Sequence, residues 1–200
     1  MEAKQEFTDF RDAVLCALDN NEIPYKLFGG AVIALLDGSR ITYDIDIALP
    51  RKEEFAEKII DALYSIGFCE MREKIAIQIY GINDDWKGVE EESTLQLESD
   101  RKGWEEYHID LCFNLGEHNY DTMPSIDFKT DTMTLTIVEP AHIAVMKANI
   151  FPKPREKDIE DIMTIKKYLG VDDEANVEKS KGFFDKFFKK SKPKGEKENG

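Results

Sequence analysis

Three cysteines, two tryptophans and no long apolar run deny this 200-residue chain several ways of being built. Cys16, Cys69 and Cys112 are odd in number, scattered and without a C-x-x-C pair, which excludes a disulfide framework. His108, His118 and His142 match no zinc-site spacing. Both sets read as ordinary residues of a reducing compartment. The longest apolar stretch, around Ala31 to Leu36, is far too short for a hydrocarbon core about 30 Å thick. No basic segment followed by an apolar one opens the chain, so a soluble, cytoplasmic protein without a transmembrane segment is expected. Cationic residues are also scarce: 27 Lys and Arg against 41 Asp and Glu give a net charge of −14. Affinity for a phosphate backbone comes largely from counterion release by Lys and Arg, so broad attraction to nucleic acid is excluded and any RNA partner must meet a local basic patch. Residues 178–200 hold eight Lys against four acids, a charge of +4, which leaves −18 on the other 177 residues.

What is present is an alternation of helical and strand periodicities. Phe7, Phe10, Val14, Leu15 and Leu18 recur at helical spacing over 5–19. A short strand from Tyr25 to Phe28 follows Pro24, then Gly29-Gly30, a small apolar helix over Ala31–Leu36 and a strand from Tyr43 to Leu49 ended by Pro50. Residues 51–66 read as an amphipathic helix closed by Gly67. From Ile75 to Phe113 the period switches to two, with Ile75, Ile77, Ile79, Leu95, Leu97, Tyr107, Ile109, Leu111 and Phe113 as inward faces. Met133–Val138 is a last strand. Glu139-Pro140 opens a helix to about Asn149, since Pro suits a first helical position, and 155–169 form another helix closed by Gly170. The order predicts an α/β (α+β) fold, a mixed sheet flanked by helices with a short helical C-terminal part. We divide it as 1–138 core, 139–170 C-terminal helices and 171–200 charged linker and basic tail. In that tail Phe183, Phe184, Phe187 and Phe188 share a helical face beside lysines, which suits a membrane surface or a partner, or else a terminal helix folded back on the acidic core or a frayed end.

The chemistry concentrates in Leu27–Leu49. Asp44 and Asp46 sit one residue apart in an apolar strand, so their carboxylates point the same way, about 6.5–7 Å apart at the backbone. A close pair of buried acids repels and drives one pKa upward unless a cation neutralises it, and hard oxygen donors suit Mg²⁺ or Mn²⁺. Two-metal phosphoryl chemistry calls for a third carboxylate. Asp110 is the candidate, because in Tyr107–Phe113 it stands on an apolar strand where a charge is costly unless paired or on a metal. Asp100, Asp121, Asp127 and Asp131 sit in polar, turn-like surroundings. Gly29-Gly30 fits a strand-to-helix turn and also exposes backbone N–H groups at a helix start, where a phosphate can approach.

Gly29-Gly30, Arg40, Thr42, Asp44, Asp46 and Asp110 together resemble the signature of the polymerase-β-like nucleotidyltransferase superfamily: a Gly pair, Asp-x-Asp and a third strand Asp. The resemblance implies a fold of that type. It also implies that the glycines hold a nucleoside triphosphate, that Asp44, Asp46 and Asp110 bind two Mg²⁺ or Mn²⁺ ions, and that an acceptor hydroxyl displaces pyrophosphate. Val145–Ala148 with Lys147, and Arg155, Asp158 and Asp161 in the following helix, resemble the Met-Lys and Arg-x-x-Asp-x-x-Asp segments of the abortive-infection nucleotidyltransferases, toxins of type IV toxin–antitoxin pairs. That branch implies RNA, tRNA included, as acceptor and an antitoxin protein as partner. A small-molecule, aminoglycoside-like acceptor or a protein acceptor is the alternative, and a catalytically idle binding module is a third reading.

The same C-terminal residues have a purely physical reading. Arg155 with Asp158, and Asp158 with Asp161, are three apart on a helix and satisfy simple i,i+3 pairing. Lys147 follows four apolar residues, where a lysine either snorkels or points at an anion. Arg40 suits a phosphate or a sheet-edge pair, and Thr42 is also a β-former.

Overall fold

A computed structural model describes residues 2–38, 40–68, 93–99, 101–150 and 153–171. The elements are α1 (Glu2–Asn20), β1 (Lys26–Phe28), α2 (Gly29–Asp37), β2 (Asp44–Ala48), a 3-10 turn (Glu53–Phe55), α3 (Ala56–Ser65), β3 (Ser93–Glu98), β4 (His108–Asn114), β5 (Ser125–Lys129), β6 (Thr134–Val138), α4 (Pro140–Ala148) and α5 (Glu156–Tyr168). The expected strands over Ile75–Ile79, Cys69, Asp100 and the Phe/Lys tail lie outside the described residues.

The strands form one six-stranded mixed sheet in the order β3-β4-β2-β1-β6-β5. β1 runs antiparallel to β2 and parallel to β6, β2 parallel to β4, and β3 and β5 close the two edges antiparallel to β4 and β6. The register that matters is the parallel pairing of β2 on β4, which sets Asp44 opposite His108 and Asp46 opposite Asp110. Side chains alternate along a strand, so Ile45, Ile47, Ile109 and Leu111 take the other face, where all four are fully buried. On that apolar face α1 contributes Phe7 and Phe10, and Phe10 meets Trp104 edge-on at 5.1 Å and stacks on Tyr107 at 5.1 Å. Helix α1 also packs against α3, whereas α5 lies against α2 and α4.

Leu95, Leu97, Tyr107, Ile109, Leu111 and Phe113 are buried as the period of two predicts. Three expectations change. The helix expected over 51–66 begins with a 3-10 turn and is α-helical only from Ala56, because Phe55 N–H bonds the Lys52 carbonyl three residues back. The small helix expected over Ala31–Leu36 starts earlier, at Gly29 itself. Asp127 is not in a turn: it lies on β5, an edge strand whose polar outer residues hide its pairing with Thr136.

Candidate active site

The strand register brings the three sequence-predicted acids onto one face. Asp44 and Asp46 stand on β2, Asp110 stands beside Asp46 on β4, and all three line a cavity of 760 Å³. Around it are Gly29 and Gly30 from α2, Arg40, Lys147 from α4, and Arg155 and Lys157 at the start of α5. The remaining wall includes Phe28, His118, Ile143, Met146, Asn149 and Ile150, of which the sequence reading singled out Met146 alone, as the Met of the Met-Lys segment. A signal for part of it existed: 143, 146, 147 and 150 follow i, i+3, i+4, i+7 and so share one helical face.

Local chain chemistry explains how tightly the acids are set. Gly29 has φ +67°, and a Cβ there would lie 1.8 Å from Asp46 Oδ2, so both backbone and space require glycine. The Gly30 N–H donates to the Asp46 carboxylate, so one helix-start donor is already engaged by a protein acid. Gly30 also leaves room for Thr42 Oγ1 and the Arg40 guanidinium, which a Cβ would approach at 3.1 and 3.3 Å. Thr42 is buried and its hydroxyl donates to Asp44 Oδ1, so its part in the site is to fix a carboxylate.

Burial, then the neighbouring charges of Asp44 and Asp110, push the Asp46 pKa up to about 7 against the opposing influence of Lys147 and the Gly30 N–H. Asp110 is also raised, by burial first and then by Asp44, while a hydrogen bond from Gln96 and the proximity of His108 oppose this. On the same face Cys112 is buried and its thiol is pushed up to about 12, which makes it inert. His118 and His142 meet edge to face at 5.1 Å. Among the described residues no three His, Cys, Asp or Glu side chains are arranged to hold a metal ion by themselves.

Asp158 and Asp161 are brought near the cavity but do not line it. Both are buried, at 0% and 2% exposure. Arg40 Nη1 meets Asp161 Oδ1 at 2.7 Å, and Lys147 Nζ reaches Asp161 Oδ2 at 2.8 Å and Asp158 Oδ1 at 3.2 Å. Arg155 closes on Asp158 through Nε at 2.6 Å and Nη2 at 2.9 Å, and its backbone N–H donates to the same carboxylate at the helix start. The Arg155 hydrogen bonds, aided by Lys147, hold the Asp158 carboxyl well below the usual carboxylate range. Arg40 lines the cavity and does not pair at a sheet edge. Its partner is a carboxylate 121 positions downstream.

The described fold is shared with proteins of known structure. The chain matches the antibiotic-resistance factor ANT(2'')-Ia over 95% of its own length and 96% of that chain, at TM-score 0.54 and 14% identity. It also matches the lincosamide antibiotic adenylyltransferase LnuA in its lincomycin-bound form over 82% and 96%, at TM-score 0.48 and 15% identity. An antigenic nucleotidyltransferase-like protein from Paracoccidioides brasiliensis matches over 78% and 73%, at 0.46 and 15%. No family model and no curated protein matches the chain. The chain has a nucleotidyltransferase fold. At this identity the likeness with ANT(2'')-Ia speaks to architecture, so the chemistry rests on the residues. No described helix is long and apolar enough to cross a membrane.

Proposed function

We propose that this chain is a nucleotidyltransferase that moves a nucleoside monophosphate from a nucleoside triphosphate to an acceptor hydroxyl. The supporting observation is the pairing of Asp46 with Asp110 beside Asp44, at one wall of a cavity whose other walls carry Gly29, Gly30, Arg40, Lys147 and Arg155. Three acids crowded until one reaches about pH 7 leave negative charge that the cavity's own cations do not cancel, a donor set that fits hard divalent ions. Asp44 and Asp46 would hold two Mg²⁺ or Mn²⁺ ions, with Asp110 on one of them. Ligand sets for Mg²⁺ commonly combine one or two carboxylates with substrate phosphates. When bound, such ions neutralise charge on the reacting phosphate and on the leaving group.

The chain's residues do the rest. Gly29 and Gly30 let phosphate approach the start of α2, and Lys147, Arg40 and Arg155, aimed by Asp158 and Asp161, face the triphosphate. The acceptor oxygen attacks the α-phosphorus as the bridging P–O bond to the β-phosphate breaks. Pyrophosphate leaves with that electron pair, and Asp110 helps remove the hydroxyl proton.

The abortive-infection resemblance would make RNA the acceptor and an antitoxin the partner. The net charge of −14 favours instead a small-molecule acceptor. Incubating the protein with each α-³²P nucleoside triphosphate, Mg²⁺, and either total cellular RNA or amino sugars tests the proposal. Label should move to one acceptor class and be lost in Asp44→Asn. Transfer that survives Asp44→Asn contradicts the mechanism, and nucleotide binding without transfer to any acceptor supports an idle module.

A further inference from the structure

Strand β5 ends the sheet, and among the described residues nothing pairs with its outer edge. Hydrogen bonds at the two ends of the β5–β6 ladder fix which backbone groups that edge presents. Thr130 N–H donates to the Met133 carbonyl, and Glu139 N–H donates to the Pro124 carbonyl. Backbone groups alternate sides along a strand, so Ile126 and Phe128, between those ends, bond β6. Ser125, Asp127 and Lys129 therefore point their N–H and C=O groups outward. Side chains divide the same way. Asp127 and Lys129 share one face of the sheet, both are exposed, and no ion pair among the described residues engages either. Ile126 and Phe128 share the other, apolar face, where Phe128 is half-buried against the core and Ile126 is still 37% exposed.

We propose that this edge is a self-association surface and that its occupant is β5 of a second copy of the chain, running antiparallel about a twofold axis at Phe128. An unpaired strand edge is a template for another strand, and charges on it ordinarily blunt that tendency. Here the charges choose the partner. The registers that bring outward-facing residues together differ in what they set against Asp127: itself, Ser125 or Lys129. Only the last pairs opposite charges, and the twofold axis makes the pair occur in both directions. Asp127 of each copy and Lys129 of the other then also exchange both backbone hydrogen bonds. The same register sets Phe128 opposite its own copy at the closely spaced, non-hydrogen-bonded position. Ile126 falls diagonal to that second ring, so the apolar surface that the lone edge leaves exposed is covered. A strand without this charge order would leave Asp127 or Lys129 unmatched, which favours a copy over an unrelated segment. The ladder is short, so the dimer is weak and reversible. Strands β1 and β6 separate β5 from the acids of β2, so the association stands apart from the transfer chemistry.

Sedimentation equilibrium of the full chain at neutral pH, across the micromolar range and at low and high salt, tests this. The wild type should show a monomer–dimer equilibrium that weakens as salt screens the ion pairs. Asp127→Lys and Lys129→Asp each set like charges opposite one another and should raise the dimer Kd by roughly tenfold or more. The double variant Asp127→Lys/Lys129→Asp reverses both partners and should return the Kd to the wild-type value, which also shows that the altered strand still folds. A wild type that stays monomeric throughout overturns the proposal, because the edge is then left alone or covered from within the chain. A dimer that both single substitutions leave intact places the contact elsewhere and overturns it too. A double variant that remains monomeric overturns the ion-paired register on which the proposal stands.

Discussion

Two groups of aspartates lie on either side of one cavity, and the fold treats them in opposite ways. Asp158 and Asp161 are the more buried, yet each is gripped by cationic side chains, and Asp158 is held below the usual carboxylate range. Asp44, Asp46 and Asp110 are packed against one another, and Asp46 is raised to about 7. Burial alone therefore does not separate the groups, but compensation does. Charges removed from water persist when paired. The first group is a finished ion cluster that joins α5 to Arg40 and α4. The second carries surplus negative charge, the state that a ligand cation stabilises.

The sharpest way to break this contrast is to neutralise one acid in each group. Asp46→Asn should lower nucleotidyl transfer by at least about 10³-fold, roughly 4 kcal/mol of transition-state stabilisation. In metal-free buffer at pH 8 the same substitution should raise the thermal midpoint, because it removes a repulsive charge. Asp158→Ala should do the reverse to the fold. Stranding Lys147 and Arg155 beside an empty position should cost about 3 kcal/mol and lower the midpoint by on the order of 10 °C in a scanning melt.

Titration sharpens the contrast next. Asp46 has a folded pKa above the ordinary carboxylate value near 4, so its protonated form is favoured in the fold. Its contribution is fully present below about pH 4 and is lost as pH rises through about 7. In EDTA, stability should fall between pH 5 and 8 by on the order of 2 kcal/mol. Mg²⁺ should flatten that slope. Asp158 is depressed, so its contribution is present above the ordinary carboxylate pKa and is lost as pH drops toward its folded value. Melts across pH 3–8 with and without Mg²⁺ read both limbs, and a flat metal-free profile would contradict the assignment.

The smallest expected effect concerns aim. Asp161 holds both Arg40 and Lys147, so Asp161→Asn should weaken triphosphate binding relative to monophosphate by about tenfold, near 1.4 kcal/mol. Equal losses for both nucleotides would make Asp161 a purely structural residue.

Much of the acid group was legible because charges in an apolar alternation stand out. Asp44, Asp46 and Asp110 each interrupt a run of buried Ile and Leu. Their mutual register was not legible, since the parallel pairing of β2 with β4 joins segments 64 residues apart. The pairing of Arg40 with Asp161 was hidden for the same reason, and i,i+3 spacing could show only the Arg155–Asp158 half of that cluster. Strand β5 escaped because Ser125, Asp127 and Lys129 at an exposed edge resemble a loop. Gly29 read correctly as a turn, but that its missing side chain makes room for Asp46 is visible only in three dimensions.

The central claim is that Asp44, Asp46 and Asp110 carry charge reserved for divalent ions. Counting Mn²⁺ bound at pH 7.5 with a non-hydrolysable nucleoside triphosphate, in wild type and in Asp46→Asn, tests it most directly. The account predicts two ions per chain in the wild type and loss of at least one in the variant. Equal binding in both proteins, or none in either, would contradict it.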